Sequence, residues 1–334
     1  IRFMNQFGKL FTVNIFGESH GESVGVVIDG CPAGMPLSVE DFIEDTERRK
    51  GGMQKGTTPR QEEDLPLFKS GVFNGKTTGA PLTLLFENKN TRSGDYEKQR
   101  AVPRPGHADF VAHEKFGGFE DYRGGGHFSG RLTLCLVAAG VVAKKMLSPL
   151  KIVSTITEIG GESDIEKGLQ KAIEQKDSVG GIVECRVENL PIGLGEPFFE
   201  SVESLLAHAV FAIPAVRGVE FGTGFKAASM FGVDHNDAIE NKEGKTRTNH
   251  AGGIVGGITN GNELVFRIAI KPTSSTPKEQ QTYNWETGQV DSFAVRGRHD
   301  LCIALRVPPV LEGITAMVLA DLMLREQRIK RVYS

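Results

Sequence analysis

The sequence predicts an α+β protein, from two kinds of periodicity and one excess. Runs of alternating or continuous apolar, β-branched character at 9–16, 24–29, 80–87 and 263–271 read as strands. Apolar residues at helical spacing mark 132–146, 201–213 and the stretch after Pro309. Glycine supplies 41 of 334 residues, against a usual share of about 7%, so many positions turn sharply or approach something closely. No repeat, low-complexity tract or linker separates these elements, and the charged motifs run from end to end. A single domain over 1–334, with one site drawn from the whole chain, is therefore expected.

Composition narrows the partners. Lys+Arg 39 against Asp+Glu 42 leaves a net charge of -3, which gives no global reason to expect nucleic acid or an anionic membrane. Any anion site must be local. Cys31, Cys135, Cys185 and Cys302 form no C-x-x-C pair, which argues against a zinc knuckle or disulfide scaffold and fits a reducing cytoplasm. The longest apolar run, 134–143, is too short to span a bilayer, and no signal-peptide pattern opens the chain.

Taken in order, the first two strands flank Gly17-Glu18-Ser19-His20-Gly21. This matches the nucleophile elbow G-x-S-x-G, but an elbow needs a helix next, and 24–29 reads as a strand. The alternatives are a loop offering His20 as proton donor to a bound anion, or a plain polar turn. Ser38-Val39-Glu40-Asp41 resembles a capping box opening a helix to Arg49. Its end, Arg48-Arg49-Lys50, either complements the helix dipole or serves a ligand. A polar loop over 51–64 carries Lys55 and Arg60.

Arg104-Pro105-Gly106-His107-Ala108-Asp109 and the segment 121–131, with Gly124, Gly125 and Gly126, come next. The second leads into a helix with Leu132, Leu136, Ala139, Ala143 and Met146 on one face. Three glycines before a helix predict unpaired N–H groups, hence an anion site, although the spacing fits neither the P-loop nor G-x-G-x-x-G. Residues 151–188 read as strand, helix, strand, with the helix at about 164–176. His208, within the helix at 201–213, reads as packed or surface-exposed. The glycine-rich stretch 222–261 is either a mobile loop or a backbone surface folded against a flat ligand. The strand 263–271 delivers Lys271-Pro272-Thr273-Ser274-Ser275, a cation followed by hydroxyls that suits a phosphate or forms a polar turn. Arg296-Gly297-Arg298-His299-Asp300 precedes a last helix with Leu311, Ile314, Val318 and Leu322 on one face.

Collected, His20, His107, Arg48, Arg49, Arg104, Arg131, Arg298, Lys271 and Asp300 describe a site for a multiply anionic ligand with a proton to move. Acyl transfer needs fewer cations.

Six stretches closely resemble the motifs of the chorismate synthase family, in the family's order and over nearly the whole chain. They are the pentapeptide at 17–21, the segments 104–109 and 121–126, Asn249-His250-Ala251-Gly252-Gly253, Lys271 to Ser275, and Gly297-Arg298-His299-Asp300. The resemblance implies a β-α-β sandwich, with helices layered between antiparallel sheets, assembled as a homotetramer. It implies a lyase that converts 5-enolpyruvylshikimate 3-phosphate to chorismate by 1,4-anti elimination of phosphate, the last step of the shikimate pathway. Reduced FMN is required without net redox change, and NADPH or an external flavin reductase is the source of its electrons.

Carried over by motif, His20 becomes the general acid toward the leaving phosphate. His107 becomes the histidine that manages flavin protonation, and Asp300 the carboxylate near flavin N5 that helps remove the C6 proton. Arg48, Arg49 and Arg131 are implied to hold the substrate's phosphate and carboxylates, with Arg49 and Lys55 on NADPH or phosphate positions. His127, Phe128, Ser129, Pro214, Ala215, Gly256, Lys271, Pro272, Thr273, Ser274, Ser275 and Arg298 fall on FMN positions.

Three departures stand out. His127 replaces the usual arginine, Leu132 the usual glutamate, and Lys55 a common arginine. Two rivals remain for comparison: a serine hydrolase using Ser19, and a non-catalytic flavin or phosphate module that keeps Lys271 to Ser275 but can dispense with His20.

Overall fold

The computed structural model describes residues 5–50, 56–57, 62–89, 100–295 and 299–333. Its first part runs β1 (Gln6–Phe7), β2 (Thr12–Gly17), β3 (Ser23–Asp29), α1 (Glu40–Arg49), β4 (Leu67–Ser70), the small hairpin β5 (Val72–Phe73) and β6 (Lys76–Thr77), and β7 (Leu82–Glu87). These form an antiparallel sheet in the order β1-β2-β3-β7-β4. Period-two alternation decides its faces: Val24, Val26 and Ile28 of β3 lie opposite Phe86, Leu84 and Leu82 of β7. All six are fully buried, each worth about 1.5–3 kcal/mol of apolar transfer.

After α2 (Asp109–Phe116) and α3 (Thr133–Met146) come β8 (Lys151–Ile159), α4 (Ile165–Gln175), β9 (Gly181–Glu188), α5 (Val202–Val210), β10 (Val216–Phe221) and the single turn α6 (Gly232–His235). The hairpin β11 (Ile254–Val255) and β12 (Ile258–Thr259), then β13 (Leu264–Ile270), the hairpin β14 (Gln280–Asn284) and β15 (Gln289–Phe293), and α7 (Pro308–Arg325) complete the chain. The second antiparallel sheet has the order β10-β13-β9-β8. Its buried face pairs Phe266 with Cys185 and Ile268 with Val183. Between those rows, Arg267 pairs with Glu184 and Glu220.

Helices α3 and α7 fill the space between the sheets, with α3 against β3 and α7 against β8 and β9. They meet at two glycines. A Cβ on Gly140 would lie 2.2 Å from the Gly313 Cα, so the backbones approach more closely than any side chain permits. The result is sheet, helix, helix, sheet, the β-α-β sandwich with helices layered between antiparallel sheets. One continuous cluster of buried apolar residues joins both sheets to both helices.

Several expectations need adjustment. The last helix was expected to bury one face, yet Pro309 through Leu322 is buried all round, because α3, α5 and β8 enclose it. The stretch from Arg123 to Met146 is long and apolar enough to cross a membrane by length and composition alone; within the fold, α3 buries that apolarity against its neighbouring layers. The capping box is half formed: the Asp41 carboxylate accepts the Ser38 N–H at 2.8 Å, while α1 has no side-chain N-cap. The helix at 201–213 ends at Val210, and single turns carry the chain on to Pro214. Within 222–261, Asp237 orders the backbone by accepting the N–H groups of His250 and Ala251.

Candidate active site

The hairpin of β2 and β3 presents residues 18–22 as its loop, closed by Gly21 N–H donating to the Glu18 carbonyl at 3.2 Å. Ser19 is 1% exposed and its N–H donates to the Gly126 carbonyl at 3.0 Å. With a strand following directly, the elbow geometry of a hydrolase is absent, and Ser19 is a structural residue of the loop. The next side chain, His20, enters a cleft of about 650 Å³.

The three glycines explain how it gets there. Gly124, Gly125 and Gly126 have φ of 59°, 83° and 53°. A Cβ on Gly124 would lie 2.3 Å from both Cε1 and Nδ1 of His20, and one on Gly125 would lie 3.4 Å from Cε1 of His107. Two histidine rings from distant segments thus rest on adjacent glycines. The expected anion site at unpaired N–H groups is filled in part from within the chain. The N–H of Gly125 reaches the Tyr122 carbonyl, Ser129 that of Gly126, Leu132 that of Ser129, and Arg131 donates to Ser129 Oγ. Room for the rings is what the glycines provide. Nearby, Asp121 is held below the usual carboxylate range, first by the hydrogen bond from Arg123, with the positive field of His20 contributing.

His107 is oriented by its own segment. Its Nδ1 lies 2.6 Å from Asp109 Oδ1, and Arg104 grips the same carboxylate through Nε at 2.7 Å and Nη2 at 2.8 Å. Burial would raise the Asp109 carboxyl, but the hydrogen bonds from Arg104 and His107 outweigh it and hold the group well below its ordinary value. With Nδ1–H donated to Asp109, Nε2 is the nitrogen left to exchange a proton.

The same cleft holds a group of cations. Arg49 and Arg131 share the buried Asp64, Arg49 at 3.3 Å and Arg131 in a tight ion pair. Burial and then the Arg306 guanidinium push Arg49 down to about 9, which leaves it charged at neutral pH. One carboxylate between two guanidinium groups leaves a surplus of positive charge suited to an anion. Arg306 in turn donates to Asp300 Oδ2 and to the Arg49 carbonyl, both at 2.9 Å. Further along, Lys271 Nζ donates to Ser274 Oγ at 2.8 Å and to the Pro272 carbonyl at 3.0 Å. Its pKa is lowered by burial and by Arg217.

The cleft gathers His20, His107, Asp300, Arg49, Arg131, His127, Phe128, Ser129, Pro214, Ala215, Lys271, Thr273, Ser274 and Ser275. Three sequence candidates do not line it. Arg48 turns away into an ion network, bidentate to Glu312 at 2.7 and 2.8 Å, because Glu312 and Asp45 lie buried beneath it and require cations. Gly256 turns the β11–β12 hairpin with open space around it. Pro272 supplies only its carbonyl to Lys271. Lys55 and Arg298 lie outside the described residues. His127, though in the cleft, has Nδ1 2.8 Å from the Gly17 carbonyl and Nε2 3.2 Å from Asn5 Oδ1, so it ties loops together where an arginine is usual. Leu132 packs in the core at 4% exposure. Asp64, Asn88 and Arg306 were missed: none sits in a motif, and Asp64 and Asn88 acquire their roles from Arg131, distant in sequence.

Residues 11–324 match the family described as chorismate synthase. The chain belongs to the chorismate synthase family. A chorismate synthase of Chitinophaga pinensis is 71% identical over 331 residues, covering 99% of each chain. That of Dehalococcoides mccartyi is 46% identical over 359 residues, covering 98% of this chain and 99% of the relative. A solved structure titled "Crystal Structure of Chorismate Synthase" superimposes with a TM-score of 0.73 at 26% identity, covering 96% of this chain and 93% of that one. Membership makes the protein a lyase of the shikimate pathway, which leads to the aromatic amino acids.

Proposed function

We propose that the cleft binds 5-enolpyruvylshikimate 3-phosphate beside reduced FMN and eliminates phosphate across the 1,4 positions in anti geometry to give chorismate. The observation that carries this is the meeting of His20 and His107 on Gly124 and Gly125, in one cleft with cations that outnumber their carboxylate. The cleft also fits a flavin phosphate: Thr273 Oγ1 is buried without a hydrogen-bond partner among the described residues, beside the Lys271 ammonium and Ser274. Lys271 to Ser275 would hold that phosphate, with Phe128, Ser129, Pro214 and Ala215 along the rest of the cofactor.

When bound, reduced FMN supplies an electron-rich ring system beside which an elimination without net redox change proceeds. The protein supplies charge and protons. Arg49 and Arg131 bind the substrate's phosphate and carboxylates. His20, kept protonated by the dianion it faces, donates to the departing phosphate. Nε2 of His107 holds or releases a proton at the cofactor, and Asp300, fixed by Arg306, helps remove the C6 proton. A module that only binds flavin would have no use for His20 beside this cluster.

Assembly as a homotetramer is supported by apolar side chains left bare on one chain, among them Phe198 at 85%, Phe199 at 91% and Phe225 at 85% exposure. A cytoplasmic, reducing setting agrees with four buried free cysteines whose thiols burial pushes up, Cys135 to about 12. Electrons for FMN come from NADPH, for which Arg49 and Lys55 are the candidates, or from an external reductase. Anaerobic turnover with chemically reduced FMN, set beside aerobic turnover with NADPH and oxidised FMN, tests both points. Substrate-dependent phosphate release is expected in the first assay; its absence would overturn the proposed reaction, and the second assay distinguishes the two electron sources.

A further inference from the structure

Asn88 is the first residue after β7, whose last pair, Ser23 with Glu87, lies at the start of β3. Its backbone N–H continues the pairing by donating to the Glu22 carbonyl at 3.0 Å. This places the Asn88 side chain beside the loop that carries His20, and its amide is fully used. Nδ2 donates to the carbonyls of Glu18 at 3.1 Å and Gly21 at 2.9 Å, while Oδ1 accepts from Arg131 Nε at 2.9 Å. The two carbonyls bracket Ser19 and His20. Arg131 is fixed elsewhere by Asp64.

We propose that Asn88 is a positioning residue that sets the proton donor and the anion-binding arginine in register with each other. The assignment rests on the elimination proposed above. A carboxamide is the only side-chain chemistry of this size with two N–H donors for the loop and an oxygen acceptor for a guanidinium. A carboxylate at the same position keeps the acceptor but turns repulsive oxygens on the Glu18 and Gly21 carbonyls. An alanine removes all three bonds.

The two substitutions therefore disturb both halves of the role, by different means. Asn88→Asp is expected to lower kcat by ~10²-fold, the scale of a roughly 1 Å displacement of a reacting group, and also to raise the substrate KM about tenfold, because its carboxylate against Arg131 cancels the surplus positive charge that holds the anion. Asn88→Ala is expected to lower kcat comparably and also to raise KM about tenfold, the scale of a lost charge-assisted hydrogen bond. Both should bind FMN as wild type does, since Lys271 to Ser275 lie elsewhere in the cleft. The measurement is steady-state kinetics under anaerobic conditions with reduced FMN, with active-site content fixed by FMN titration. Wild-type kcat in both variants would overturn the proposal, as would an identical kcat loss with unchanged KM in both, since that pattern needs no link to Arg131. Because wild type runs alongside, an inactive wild type would count against the reaction itself and active wild type with unaffected variants against Asn88 alone.

Discussion

At the scale of single residues, the site depends on how side chains are held as much as on which are present. Asp109 illustrates this: at 24% side-chain exposure it is shared by His107 and Arg104, and its folded-state pKa is depressed. Such a group stabilises the fold fully above the unfolded value of about 3.9, and the contribution is lost as pH falls below it toward the folded value. Asp109→Asn should therefore lower stability by roughly 1–3 kcal/mol at pH 7, with the gap to wild type closing below about pH 4. Urea unfolding midpoints across that range check it, and a constant gap would assign the loss to packing. His20, His107 and Lys271 were legible in the sequence because glycine, proline and hydroxyl neighbours mark them. That Arg48 turns away from the cleft could not be read locally, since nothing near it announces Glu312, 264 residues away, as its partner. Asp64 and Asn88 escaped notice for the same reason: their roles depend on Arg131, 67 and 43 residues distant.

At the scale of elements, periodicity located the long strands and helices because each long strand buries one face. Where burial is total it located the helix but not the extent of its burial. In α7 the residues between Leu311, Ile314 and Val318 are buried too, so no polar face existed to define a stripe. The α3–α7 crossing is similarly invisible in one sequence, as nothing marks Gly140 and Gly313 as partners. Overpacking there is the consequence to test. Gly313→Ala would place a methyl 2.9 Å from the Leu136 carbonyl and is expected to destabilise by about 1–3 kcal/mol. Thermal denaturation measures it; an unchanged Tm would mean that the two helices can separate without cost. The triple glycine was recognised as special, but sequence alone does not reveal that two histidine rings lie on it.

For the molecule as a whole, two sheets and two buried helices hold together segments that no local pattern connects. The hairpin loop of the first sheet supplies His20, the segments before α2 and α3 supply His107 and Arg131, and the strand β13 of the second sheet leads into the lysine and hydroxyls at 271–275. A protein of net charge -3 thereby concentrates cations in one cleft, as the proposed polyanionic substrate requires. The most direct test compares wild type with His20→Ala in single turnovers under anaerobic conditions with reduced FMN, following phosphate and chorismate together. Wild type should release the two in equal amounts, and His20→Ala should retain FMN but slow both by ~10² to 10⁴. Release of phosphate by His20→Ala at the wild-type rate would contradict the account.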